Sequence, residues 1–178
     1  GLRTLRGGLC GTLVAMPTLI LMRHAQAGEA FRDFTRPLAP RGREQAAYQA
    51  GPIAERVGHV DLALVSAAKR TKQTLAGLTS GGLTINEARA EKALYGASWL
   101  TVLEFLNEVP ETTETVLVVG HEPTMSISAA RLASDDSPAN IDIQMGFSTA
   151  SAAIGRLNSW QQLDIGGLYV TEVLRAAI

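Results

Sequence analysis

Pro17-Thr-Leu-Ile-Leu-Met-Arg23-His24-Ala25 is the stretch on which the reading of this chain turns. Leu19 to Met22 are consecutive apolar residues, the pattern of a short strand buried on both faces. The run stops at an arginine and a histidine. In open α/β sheets the functional crevice lies just beyond the C-terminal ends of the strands. Arg23 and His24 are therefore read as site residues, and further site residues are expected after other strands.

Downstream, Gln26 to Pro40 reads as a loop carrying Asp33, Arg36, Pro37 and Leu38. The spacing of Ala46, Ala47, Ala50, Ile53, Ala54 and Val57 predicts a helix over Arg41 to Val57. Pro52 inside it predicts a kink or break, since an interior proline costs about 3 kcal/mol. Asp61 to Ser66 reads as a second buried strand, followed by a helix over Ala67 to Leu78 with Arg70 in its first turn. Leu83 to Ala88 is a weaker strand. Ser98 is placed to cap a helix that runs to Val109. Thr115 to Gly120 is the clearest strand of the chain, and it ends in His121-Glu122-Pro123. A helix to about Leu132, a polar loop over Ser134 to Asn140, and strands over Phe147 to Leu157 and Leu168 to Leu174 complete the pattern. Strand–helix alternation of this kind implies an α/β fold, a three-layer α/β/α sandwich with a mostly parallel central sheet.

Bulk properties narrow the function. The chain has 178 residues, 46% hydrophobic and 19% charged, enough for a single domain with a substantial core. A net charge of −1 offers no electrostatic case for nucleic acid or an anionic membrane, so an anionic ligand must be drawn by a few placed arginines. One cysteine, Cys10, forms no internal disulfide, which fits a cytoplasmic location. The histidines His24, His59 and His121 show no metal-ligand spacing, so neither a metal nor another cofactor is implied. His59, between Gly58 and Val60, reads as a loop residue. Residues 1–15 read as an N-terminal extension, from cloning or an upstream start, and residues 16–178 as the domain. An apolar arm of that kind is expected to rest on its own domain or on a neighbour.

Three strand exits thus deliver Arg23 with His24, then Arg70, then His121. Parallel strands bring them to one edge of the sheet. Two arginines and two histidines in one crevice suit a phosphoryl group, because guanidinium forks match phosphate oxygens and stay charged.

Taken with Asp33-Phe-Thr-Arg36-Pro-Leu, Gly42, Val65-Ser66, Arg70-Thr-Lys-Gln-Thr74 and Val-Val-Gly-His121-Glu-Pro, the sequence resembles the histidine phosphatase, or phosphoglycerate mutase-like, superfamily. Within it the chain is similar to the small SixA-type phosphohistidine phosphatases, over essentially all of residues 17 to 175. The resemblance implies a phosphatase without metal or organic cofactor. His24 is then the nucleophile that forms a phosphohistidine intermediate. Arg23 and Arg70 bind the phosphoryl oxygens, His121 completes the pocket as a donor, and Arg36 is an additional contact at its mouth. Phosphate or sulfate is an expected occupant.

Two positions depart from the family pattern: Ala39 stands where a capping threonine is common, and Ala67 where a proline or serine is common. No residue matches a general-acid motif; Glu29, Asp33, Glu87, Glu91 and Glu122 are the candidates, with Glu122 read first as a loop-shaping residue. The substrate expected is a phosphorylated protein bearing phosphohistidine. A small phosphate ester is the alternative, and a non-catalytic phosphate-binding module is the reading from another class.

Overall fold

The computed structural model describes residues 16–178. The expected packing of the 1–15 arm lies outside them. Six strands form one sheet: β1 Thr18–Arg23, β2 Val60–Ser66, β3 Ile85–Glu91, β4 Thr115–Gly120, β5 Ala152–Arg156 and β6 Tyr169–Leu174, in the spatial order β3-β2-β4-β1-β5-β6. The pairs β1–β4, β2–β4 and β2–β3 are parallel, whereas β5 and β6 close one side antiparallel. Five helices connect them: α1 Pro40–Val57, α2 Lys69–Ser80, α3 Trp99–Asn107, α4 Thr124–Leu132 and α5 Asn140–Gln144.

The side-chain period of two sorts each central strand onto two cores. Leu19, Leu21, Leu62, Leu64, Val116 and Val118 pack with Val102, Leu106, Met125, Ala129 and Ile143 from α3, α4 and α5. Ile20, Met22, Ala63, Val65, Leu117 and Val119 point to the other face, against Ala46, Ala50, Ile53 and Leu78 from α1 and α2. Helices on both faces explain why β1 and β4 have no polar residue in their middle. No helix among the described residues is long and apolar enough to cross a membrane.

Several boundaries differ from the sequence expectation, each for a physical reason. α1 runs unbroken through Pro52. The carbonyl freed by the missing amide is that of Tyr48, which lies with Gly51 on an exposed stretch of the helix where water can reach the backbone. β3 lies at Ile85–Glu91 rather than Leu83 to Ala88, because it is an edge strand whose exposed residues Glu87, Ala88 and Arg89 carry little apolar signal. Ser98 occupies the N-cap of α3 but makes no side-chain cap hydrogen bond. Residues 147–151 are loop and not strand, and a short helix, Asn140–Gln144, follows the loop expected over Ser134 to Asn140. His59 is a loop residue, paired through Nε2 with Asp61 Oδ1 at 3.0 Å.

Gly42, near the start of α1, is a point of close approach. A Cβ there would collide with the carbonyl oxygen of Gln26, which itself accepts the amide of Ala39 at 2.9 Å. Gln45 Oε1 accepts the amide of Gln26 from the next turn of the same helix, at 3.0 Å. The loop after β1 is thereby seated on α1. Gly42→Ala is expected to lower stability by about 1–3 kcal/mol through overpacking against backbone, read as a lower thermal midpoint; an unchanged midpoint would contradict this seating.

Candidate active site

The parallel strands β1, β2 and β4 end on the same edge, and the site is assembled there. A pocket of about 370 Å³ is lined by Arg23, His24, Gln26, Ala27, Arg36, Arg70, His121, Glu122 and Thr149. All five residues singled out in the sequence therefore line one pocket.

His24 follows β1 and is only 8% exposed. Its amide donates to the Gly120 carbonyl at 2.9 Å, and its carbonyl accepts the Ala150 amide at 3.0 Å. Backbone from β4 and from the 147–151 loop thus fixes it on both sides. The ring Nδ1 lies 2.6 Å from the carbonyl oxygen of Ala25. A carbonyl only accepts, so Nδ1 carries the proton and Nε2 keeps its lone pair, which accepts from Arg70 Nε. Nε2 faces the pocket, 3.4 Å from Arg70 Nε. Burial, with Arg70 and Arg23 nearby adding to it, lowers the His24 pKa to about 4, so the ring is a neutral base at physiological pH.

Arg70 is 6% exposed, in the first turn of α2. A cation at a helix N-terminus has the wrong sign for the helix dipole, and burial adds to its cost. Asp33 compensates it: its carbonyl accepts from Arg70 Nη1 at 2.8 Å, and its Oδ2 from Nη2 at 3.1 Å. Thr74 Oγ1 donates to the Arg70 carbonyl and accepts the Ala25 amide, at 2.8 and 3.0 Å. The His24 loop and the Arg70 helix are thus tied by one hydroxyl.

Arg23 donates from Nη1 to the carbonyl of Phe147 at 2.8 Å, while its buried Nε has no partner. His121 Nε2 lies 2.8 Å from Ser66 Oγ, and its buried Nδ1 has no partner. With the Ser66 hydroxyl donating, Nδ1 of His121 holds the proton and is free to donate. Burial lowers the His121 pKa to about 4, with Arg70 contributing. The His24 and His121 rings lie 5.3 Å apart. Arg36 reaches the pocket held by the Gly28 carbonyl on Nε and by Asp33 Oδ1 on Nη1, at 3.0 and 3.2 Å.

The candidate acids separate. Glu122 lines the pocket, but its carboxylate accepts the Ser126 amide, the Ser126 hydroxyl and the Phe147 amide, so it caps α4 and holds the 147–151 loop. Glu87 pairs with Arg89 on the edge strand, and Glu91 lines a different hollow with Leu62, Phe105 and Val109. Glu29 is exposed and lines no wall of the pocket. Asp33 sits at the rim, where the Tyr95 hydroxyl, then Arg70 and Arg36, hold its pKa down to about 2. It is an anion there and donates no proton. Tyr95 itself had no sequence signal. It extends from the turn after β3, with its hydroxyl 2.6 Å from Asp33 Oδ2 and its ring edge-on to Phe34 and His121.

A six-stranded phosphoglycerate mutase-like sheet with two arginines and two histidines at its C-terminal edge defines a phosphatase of that fold. Comparison with known proteins agrees. No family model matches the chain. Rv1276c of Mycobacterium tuberculosis, an uncharacterized protein, is 38% identical over 153 residues, 82% of this chain and 93% of that one. A solved protein from Nakamurella multipartitia, provisionally named phosphohistidine phosphatase SixA, superposes with a TM-score of 0.81 at 31% identity, covering 92% of this chain and 98% of that one. The protein histidine phosphatase SixA, solved with tungstate, shares the fold at a TM-score of 0.75 and 22% identity, over 89% of this chain and 97% of that one. The chain belongs to the histidine phosphatase superfamily, among its SixA-type members.

The two buried imidazoles give a pH prediction with a definite sign. Unfolded, both titrate near 6.5; folded, both titrate near 4. The unfolded state therefore binds more protons between these values, so stability rises with pH across that window and is lost as pH falls from about 6.5 towards 4. Histidine ring NMR should place both folded-state midpoints near pH 4, and the thermal midpoint should decline over the same window. Folded-state titration of either ring near 6.5 would contradict the assignment.

Proposed function

We propose that this phosphatase hydrolyses protein phosphohistidine, with His24 as the nucleophile. One observation carries the reading: the only ring nitrogen of His24 left with a lone pair points into a pocket edged by arginine donors. Nε2 attacks phosphorus in line, the bond to the leaving group breaks, and a phosphoryl group is held on His24. Nδ1–H stays on the Ala25 carbonyl throughout, so the phosphorylated ring is an imidazolium. Water then attacks phosphorus, the electron pair of the P–N bond returns to Nε2, and the water proton leaves with inorganic phosphate.

The orphaned donors Arg23 Nε and His121 Nδ1, with Arg70 and Arg36, suit the oxygens of a tetrahedral oxyanion. The tungstate complex of a SixA with the same fold is in keeping with such a guest. Three arginines supply the charge for transfer, and no step is routed through a metal. A protein substrate is supported by the rim. No inserted lid interrupts the described connections, and Phe31, Phe34 and Tyr95 stand exposed on the loop and turn beside the pocket.

The test is phosphate release from a phosphohistidine-bearing phosphotransfer protein and from an aryl phosphate, in parallel. Release from the protein should be faster. It should fall about 10³-fold or more in His24→Ala, and about 10²- to 10³-fold in kcat in Arg70→Ala, through lost charge stabilisation. Preference for the aryl phosphate would point to a small-molecule phosphomonoesterase, and binding without turnover to a phosphate-binding module.

A further inference from the structure

Among the described residues no carboxylic acid is placed to protonate the leaving group. The carboxylate nearest the clamp, Asp33, is held as an anion. We propose that Asp33 selects N-phosphoryl substrates: its carboxylate accepts the free ring N–H of a phosphohistidine and keeps the leaving imidazole protonated, so that no general acid is needed. The inference rests on the phosphohistidine reading above and assigns the residue that discriminates for it.

Geometry places the carboxylate for this. The Arg70 guanidinium spans the distance between nucleophile and rim, with Nε 3.4 Å from His24 Nε2 and Nη2 3.1 Å from Asp33 Oδ2. His24 is buried in the pocket wall, and Asp33 is held beside that pocket by two of its lining residues, Arg70 and Arg36; the proposal places the leaving group on that side. A carboxylate offers about four lone-pair sites. Arg36 Nη1 takes one on Oδ1, and Arg70 Nη2 and the Tyr95 hydroxyl take two on Oδ2. One site on Oδ1 remains, and the side chain is 50% exposed, open to a donor from a docked substrate.

The groups facing Asp33 are Arg70 from α2, Arg36 from its own loop and Tyr95 from the turn after β3. His121 lies behind Tyr95, and His24 behind Arg70. The cations and the hydroxyl hold Asp33 ionised across the working range, so it accepts and never donates.

The transfer step balances with the proton on the bound ring, which is taken up from solvent on binding when the pH lies above the pKa of the free ring. In phosphohistidine one ring nitrogen carries phosphorus and the other can carry a proton. An anion on that N–H favours the protonated, cationic ring. As His24 Nε2 bonds to phosphorus, the substrate P–N bond breaks and its electron pair returns to the ring. The ring leaves as neutral imidazole and keeps the proton on its other nitrogen. The Ala25 carbonyl does the equivalent for His24 in the second step, by holding its Nδ1–H. A phosphate ester fares differently: its leaving oxygen gains negative charge, for which Asp33 offers repulsion and no proton.

The experiment compares wild type and Asp33→Asn on phosphoimidazole and 4-nitrophenyl phosphate, both too small to depend on protein docking. The ratio of kcat/KM for phosphoimidazole over the aryl phosphate should fall at least about tenfold in Asp33→Asn at about pH 8, above the ordinary imidazole range. The wild-type kcat for phosphoimidazole should stay level above the pKa of the free substrate, the ring proton being taken up from solvent on binding, and the kcat of Asp33→Asn should decline through it. Equal losses on both substrates would leave the ratio unchanged and overturn the assignment. A wild-type kcat that declines at the free-substrate pKa would overturn it without reference to any variant. A wild type that hydrolyses the aryl phosphate but no phosphoimidazole at any pH would instead overturn the parent reading.

Discussion

A single hydrogen bond, from His24 Nδ1 to the carbonyl of Ala25, decides what this site can do. A histidine beside three arginines could as easily be a donor or a spectator. By fixing the proton on Nδ1, the backbone turns Nε2 into a directed lone pair, and burial with nearby positive charge keeps it unprotonated. The bond depends on the backbone of residues 24 and 25. That backbone is held by Gly120 of β4, by Ala150 of the loop before β5, and by Thr74 of α2. Through these contacts the tautomer of His24 depends on elements far apart in sequence.

The same economy governs the cations. Arg70 sits buried at a helix N-terminus, where neither the dipole nor the low dielectric favours it, and Asp33 compensates it from across the rim. Arg23 retains one buried N–H with no protein acceptor, as does His121. Stability alone would have satisfied these groups with fixed side chains. Leaving them open at one pocket is what an anion-binding site requires. The scaffold can carry this because it has a core on each face of the sheet, whose edge residues Ala25, Ala150 and Phe147 hold the site through backbone groups.

Much of this was legible in the sequence. β1 and β4 announce themselves as apolar runs because helices cover both their faces, and the polar residues that end them are conspicuous for the same reason. Arg70 could be placed because it opens the helix after the next buried strand. What could not be read depends on tertiary proximity or exposure. Glu87 and Arg89 obscure β3 because one side of an edge strand meets water. Residues 147–151 look strand-like by composition, yet Gly146 and Ala150 adopt positive φ and turn the loop towards Arg23. Tyr95 carries no motif. The ionised state of Asp33 follows from Arg36, Arg70 and Tyr95 meeting in space, so a candidate acid by residue type becomes an acceptor by environment.

The central claim is that the phosphoryl group passes through Nε2 of His24. Rapid mixing with a labelled phosphohistidine protein, quenching in alkaline denaturant and mapping by mass spectrometry would test it directly. The account predicts a transient phosphoryl group on His24, bonded at Nε2, that rises and decays at rates matching turnover. Turnover with no label on His24, or with label on His121 or on Nδ1, would contradict it.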